Sequence, residues 1–301
     1  MFSITKKQKM KNIYDMVNIS RKRSQAKDVL ARLLRNRLGL VGIFIIFTLV
    51  FLVVFAGLLS KHDYAFQNIK IRLAFPSKDH IMGTDNFGRD IWARMLYGGR
   101  ISLLIAMLTV LISGTTGAIL GSTSGYFGGK ADIAITRILD IIMAIPSLLL
   151  AIAISVAFGA GIVKTAIAIS ISGIPYTARM MRSTVMAIKN NDFVEAARAT
   201  GSTNFRIVFV HILPNAVAPL IVNLTLMIGG TIMSISSLSF IGLGVQPPTP
   251  EWGSILASGR VYIRDFWPII VFPSLFIMLT LFGFNLFGDA LRDALDPRLK
   301  D

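Results

Sequence analysis

Chemistry at a protein site needs a few reactive side chains held close together, and this sequence has few to offer. Cysteine is absent, which removes thiol nucleophiles, disulfides and Cys-ligated zinc. The three histidines, His62, His80 and His211, are dispersed along the chain, a spacing that argues against a metal cluster. Gly128-Gly129-Lys130 has the look of the end of a phosphate-binding loop. That motif, however, needs Gly at 124, where Ser stands, and Ser or Thr at 131, where Ala stands. The expectation is a chain with no catalytic residue, no metal site and no nucleotide cradle of its own. One charged cluster stands out, Gly83-Thr84-Asp85-Asn86-Phe87-Gly88-Arg89-Asp90. Gly83 and Gly88 suit turns, Asp85 can close an Asx turn, and Arg89 lies among Asp79, Asp85 and Asp90. We read this cluster as a fixed scaffold rather than a site for a cationic ligand; its spacing does not match a calcium loop.

The elements that must position these residues are membrane helices. The 301 residues are 53% apolar and 16% charged, with a mean hydropathy of +0.65, too apolar for a chain that must cover itself with water-binding side chains. Windows without Asp, Glu, Lys or Arg run over 38–60, 101–129, 141–163, 207–250 and 266–288. Each is long enough to cross ~30 Å of hydrocarbon as a helix. A shorter window, 165–178, crosses if Lys164 and Arg179 snorkel from its ends. Six spans result: 40–59, 100–122, 141–158, 161–181, 215–240 and 267–288. The net charge of +15 does not point to nucleic acid, because 11 of the 31 basic residues precede the first span, where they act as a topogenic signal. Six spans that start inside place both termini in the cytoplasm, with 21 of the 31 Lys and Arg on that side.

The organisation expected is a basic cytoplasmic tail at 1–38, with an amphipathic helix around 29–38 resting on anionic lipid, and a first span within 39–60. Beyond it come an external segment at 61–98, a five-helix core at 99–288 and a cytoplasmic tail at 289–301. Gly117, Gly121 and Gly125, four residues apart, predict close approach of a neighbouring helix. Pro146 and Pro175 interrupt spans three and four, while Asn223 and Ser234 lie in span five beside other small and hydroxylated residues. These four are candidate hinge or pore positions. No span has an acidic residue near its middle. An ion-coupled carrier usually keeps one there, so the energy enters from elsewhere.

The cytoplasmic loop 179–214 is the most informative segment, and it reads as a compact knob of short helices below the membrane. Asp192 can N-cap a short helix with Glu195 three positions later, as in a capping box. Ala196, Ala197 and Ala199 extend the helix with a flat face, Gly201 can end it in the left-handed conformation, and Ser202 or Thr203 can cap a second helix. Pro214 then fits the first turn of span five.

Glu195-Ala196-Ala197, Gly201 four residues after Ala197, and Leu213-Pro214 resemble the Glu-Ala-Ala loop of importer permeases in the ATP-binding cassette class. The consensus has Ile two positions before Leu; here His211 stands there, with Ile212 beside it. Three other stretches, 80–90, 238–248 and 288–298, are similar to permeases of the dipeptide, oligopeptide and nickel importer family, and in detail to the second of its two paralogous permeases. The resemblance covers about residues 35–300. It implies an all-α integral membrane protein with the type I importer permease fold, in a prokaryotic inner membrane. It also implies that Glu195, Ala196, Ala197, Arg198 and Gly201, with Leu213 and Pro214, form coupling helices that dock on an ATPase. The partners so implied are a sister permease, two ATPase subunits that hold the ATP and Mg, and an extracytoplasmic binding protein. Glu251-Trp252-Gly253 should open a short interfacial helix after an extended Gln246–Pro250 segment. With Gly83, Thr84, Asp85, Gly88, Arg89 and Asp90, Trp252 belongs to an external scaffold that either docks the binding protein or covers the pore mouth.

An ATP-independent channel or ion-coupled carrier is the alternative, and it would show a filter sequence or a mid-membrane charge. A membrane-embedded enzyme would need a clustered nucleophile, base or metal. The substrate, whether a peptide, a nickel chelate or another small solute, is not written in this chain.

Overall fold

The computed structural model describes residues 25–296; the basic segment 1–24 and the last five residues lie outside the described part. Among the described residues the regular structure is helical apart from one isolated antiparallel bridge, Thr84 with Asp90. Its helices are α1 (Gln25–Arg35), α2 (Arg37–Val54), α3 (Ile91–Phe127), α4 (Gly129–Met143), α5 (Ser147–Phe158), α6 (Ile162–Ile188), α7 (Asp192–Ala199), α8 (Asn204–Phe240), α9 (Trp252–Gly259) and α10 (Pro268–Leu295).

Four of these, α2, α3, α8 and α10, are long and apolar enough to cross a membrane. Spans three and four are not among these four helices. Span three is not one helix: α4 and α5 meet at an 87° bend around Ile145 and Pro146, and count as a fifth span only if the bent pair crosses together. The 12 residues of α5 reach about 18 Å, well short of the ~30 Å hydrocarbon core. Span four, α6, has 27 residues but is too polar along its length to qualify on hydropathy.

The helix boundaries follow from local chemistry. Asn36 separates α1 from α2 and caps the latter, its Oδ1 accepting from Gly39 N at 3.0 Å. Leu33 of α1 packs on Ala290 and Ala294 of α10, so the amphipathic helix rests on protein along one side. Asp90 caps α3, Oδ1 accepting from Ala93 N at 2.6 Å. The helix that carries the second span therefore starts at Ile91, nine residues before Arg100.

Small residues set the packing. A Cβ at Gly117 would stand 2.6 Å from Thr177 Cβ, one at Gly121 would strike the carbonyl of Ala178, and one at Gly125 would stand 2.8 Å from Arg182 O. The four-residue spacing is thus the groove in α3 that receives α6. Gly39 and Gly42 bring α2 onto Ala290 and Phe287 of α10 in the same way. Within the chain only 22–44% of the four apolar spans is buried, so the remaining faces are left for lipid or another subunit.

Candidate coupling site

Helix α7 begins one residue earlier than a capping box requires. Asn191 holds the N-cap position without a side-chain bond and Asp192 is the first helical residue. The residue at the third helical position is therefore Val194, and the expected Asp192–Glu195 box does not form. The two acids still lie in the first turn, where the helix dipole favours them. The far end is a Schellman motif: Ser202 N donates to Ala197 O at 3.1 Å and Gly201 N to Arg198 O at 2.9 Å, with Gly201 at φ +78°. Thr203 caps the start of α8, its Oγ1 accepting from Arg206 N at 3.4 Å.

The expected separate second helix does not exist. Asn204–Arg206 runs through a π-helical stretch, Ile207–Ile212, straight into the 28 residues from Leu213 to Phe240. Pro214 stands in the first turn of the α-helical stretch Leu213–Phe240, as its fixed φ suits, although α8 runs on before it. Its missing N–H falls just after the π turn, whose last bond runs from Leu213 N to Val208 O. Likewise the expected loop from Arg179 is helical to Ile188, as the end of α6.

The knob so built has two faces. Val194 and Ala197 are buried against Met181 and Val185 of α6, Tyr126 of α3, and Ile207, Val208 and Ile212 of α8. Leu213 packs half-buried on the same cluster. Ala197 thus points into the protein, and its expected place in a contact with another subunit is corrected. Glu195, Ala196, Arg198 and Gly201 are exposed, as are Phe193 and Pro214. Sequence reasoning missed Tyr126, whose ring carries the Arg198 guanidinium 5.7 Å from its centroid and whose hydroxyl donates to Asn204 Oδ1 at 2.8 Å. It also missed the exposed ring pair Phe205–Phe209, centroids 4.3 Å apart; an i,i+4 aromatic spacing was the available signal. Gly128 and Gly129, at φ +64° and +52°, make the turn between α3 and α4.

The Gly83–Asp90 motif folds into a closed, buried loop near the other end of α3. Asp85 Oδ1 accepts from Phe87 N at 2.8 Å and Arg89 N at 3.0 Å, and its Oδ2 accepts from Arg89 Nε at 2.6 Å. Arg94 Nε stands 3.5 Å from the same oxygen as an ion pair without a hydrogen bond. Thr84, Asp85, Arg89 and Asp90 are all at most 4% exposed, and a Cβ on Gly83 or Gly88 would strike the carbonyls of Ala74 and Asn68. Within this motif Phe87 alone is exposed, at 43%. Trp252 is wholly buried as well, its Nε1 donating to Met95 O at 2.9 Å and its face edged by Phe276, so it anchors α9 to α3. The stretch before it is a series of turns rather than an extended run, and the Pro247–Pro248 peptide is cis.

The four hinge or pore candidates do not converge. Pro146 lies exposed at the α4–α5 bend and Pro175 is buried inside α6. Asn223 donates to Thr177 Oγ1 at 3.4 Å and borders a cavity of about 510 Å³ shared with Tyr176, Met180 and Pro219. Ser234, three helical turns further along α8, is half-buried and donates to Gly230 O at 3.0 Å. The dispersed histidines do partly assemble: His62 and His80 stack with centroids 4.6 Å apart beside Asp90, against the expectation drawn from their spacing.

Comparison with known proteins bears on the whole chain. Residues 117–301 match the binding-protein-dependent transport system inner membrane component family, and residues 24–76 the N-terminal TM domain of oligopeptide transport permease C. The dipeptide transport system permease protein DppC of Alkalihalophilus pseudofirmus is 44% identical over 277 residues, 91% of this chain and 90% of that one. The oligopeptide transport system permease protein OppC of Bacillus subtilis is 39% identical over 290 residues, 96% and 95% of the two chains. An inward-facing structure of the MetNI methionine ABC transporter shares the fold, with a TM-score of 0.55 at 18% identity over 67% of this chain and 97% of that one. A helical knob braced on three helices of a multi-pass inner-membrane protein is thereby placed in context. The chain belongs to the binding-protein-dependent inner membrane components, as a permease subunit of an ATP-binding cassette importer in the group of the dipeptide and oligopeptide permeases.

Proposed function

We propose that the exposed face of α7, with Glu195, Ala196, Arg198 and Gly201, receives the motion of an ATPase subunit and passes it to α3, α6 and α8. The observation that carries this reading is the two-sidedness of α7: a small polar outer face on a helix whose inner side, Val194 and Ala197, is locked into the cluster shared by those three helices. A rigid displacement of α7 must move them together, because close-packed side chains transmit strain rather than absorb it.

In this reading the chain pairs with a paralogous permease to enclose the pathway, two ATPases hold the ATP and Mg, and an extracytoplasmic binding protein delivers the substrate. The names of the relatives favour peptides as that substrate. The chain itself hydrolyses nothing. The α4–α5 pair and α6 complete six crossings with both termini in the cytoplasm, α6 crossing with Lys164 and Arg179 at the ends of its apolar stretch. The test is a set of reporter fusions in the membrane. Those after Asn191 and at the C-terminus should read cytoplasmic and one within 68–79 external; an external reading at Asn191 removes α7 from any ATPase and ends the proposal.

A further inference from the structure

Two histidines far apart in sequence meet the cap of α3. The chain runs from α2 through a short helix, Ala56–Leu59, to Ser60, whose hydroxyl donates to His62 O at 2.7 Å, and returns at His80. One ring nitrogen of each histidine and a carboxylate oxygen of Asp90 lie within 4.8 Å of one another. They border a cavity of about 170 Å³ that Asp63 and Asn68 also line.

The bonds around the three side chains prepare them as ligands. His62 Nε2 stands 2.9 Å from Asp79 O, an acceptor with no proton to give, so that nitrogen carries the hydrogen and Nδ1 keeps the lone pair. A backbone carbonyl fixing the far nitrogen in this way is the usual outer-shell support of a metal-binding imidazole. Asp90 is split between two tasks. Its Oδ1 is tied to Ala93 N as the cap of α3, and its Oδ2 faces His80 Nδ1 at 2.8 Å. Those last two atoms share one proton. Two ligands of a tetrahedral ion at the usual 2.0–2.2 Å bond lengths stand about 3.3 Å apart, so an ion replacing that proton needs a shift of only about half an ångström. The carboxylate is 3% exposed and the His80 ring 17%, which holds both side chains in place before any ion arrives.

We propose that His62, His80 and Asp90 form a binding site for a divalent transition-metal ion of the zinc class, with water completing the coordination. Two imidazoles and one carboxylate are a donor set that such ions accept and that calcium and magnesium do not favour. The ion would clamp the exit of α2 and the following loop to the first turn of α3. This assignment is independent of the transport reading, since it uses no residue of α7 or α8.

The test uses the full chain in detergent, purified without a polyhistidine tag and stripped with chelator, with Zn²⁺ as the titrant in competition with a chromophoric chelator. One ion per chain with micromolar or tighter affinity is expected. His62→Gln and His80→Gln should each weaken it at least tenfold, and Zn²⁺ should raise the melting temperature of the parent chain but not of the double variant. As a reading that does not depend on the variants folding, Co²⁺ should give the intense visible bands of a four- or five-coordinate ion with the parent chain. A titration without a stoichiometric site, affinity unchanged in the double variant, or Co²⁺ showing only the weak bands of the hydrated ion overturns the site.

Discussion

The hydroxyl of Tyr126, at the last turn of α3, donates to Oδ1 of Asn204, the first residue of α8, across 2.8 Å. The same ring lies beneath the Arg198 guanidinium and contributes to the cluster that buries Val194 and Ala197. One side chain thus joins the end of one membrane helix, the start of another and the knob between them. Tyr126→Phe removes the hydrogen bond and keeps the ring, a loss of about 0.5–1.5 kcal/mol. The expected result is normal insertion with reduced uptake per ATP hydrolysed. Tyr126→Ala should lower the melting temperature as well, because it empties space beneath α7. The ratio of transport to ATPase rate in proteoliposomes checks the first, and thermal unfolding of the purified complex the second.

Glu195 and Gly201 separate charge from conformation on the proposed contact. Glu195→Lys places a positive charge in the first turn of α7, costing about 0.3–1 kcal/mol against the helix dipole, and reverses the sign of the outer face. Gly201→Val forces a β-branched residue to φ +78°, although no atom stands within 4 Å of the new Cβ. Both variants should reach the membrane at normal levels and lose uptake, with loss of ATPase retention or of stimulation by loaded binding protein. Gly201→Asn, which tolerates the left-handed region, should retain most of the uptake. Normal transport by both Glu195→Lys and Gly201→Val makes the segment an ordinary connector.

How far the sequence predicted this arrangement depended on the range of the signal. The Gly117–Gly121–Gly125 spacing and the left-handed Gly201 were legible, because each is fixed by local chemistry and the glycines need only a neighbour of any identity. The inward turn of Ala197 was not. Alanine suits either face of a helix, and only the start of α7 at Asp192, one residue earlier than the box pattern implied, decides which face carries it. Trp252 misled for a related reason: an aromatic residue at the start of a short helix reads as an interface anchor, while its partner, Met95 O, lies 157 residues away. The π turn before Pro214 has no clear sequence signature beyond the proline itself, and the meeting of His62 with His80 rests on loop geometry that spacing does not carry.

The α3–α6 groove gives a stability prediction independent of coupling. Gly121→Val would drive its Cβ into the Ala178 carbonyl and to within 2.8 Å of Met181 Cβ, one a backbone atom and the other fixed directly to the backbone rather than at the end of a flexible side chain. Overpacking of this kind costs about 1–3 kcal/mol. Thermal unfolding of the variant should show a lowered midpoint. Gly230→Ala, where nothing lies within 4 Å, should leave it unchanged.

Glu251 offers the sharpest test of how α9 is held, because it is a carboxylate with no exposed surface. Its Oε1 accepts from Ser102 Oγ at 3.0 Å and Gly253 N at 2.9 Å, and its Oε2 accepts from Ser254 N at 2.9 Å. Three donors on two oxygens satisfy the buried group and cap α9 against α3. Removing the acceptor leaves two backbone N–H groups and a hydroxyl buried without partners, at about 1–3 kcal/mol for each one that finds no substitute. Glu251→Gln keeps one accepting oxygen but turns an NH₂ toward a donor, so its effect should be intermediate. Ser102→Ala should be the mildest of the three, removing one hydroxyl that accepts from Trp252 N at 3.2 Å as well as donating to Glu251. The expected order of melting temperature is parent, Ser102→Ala, Glu251→Gln, Glu251→Ala.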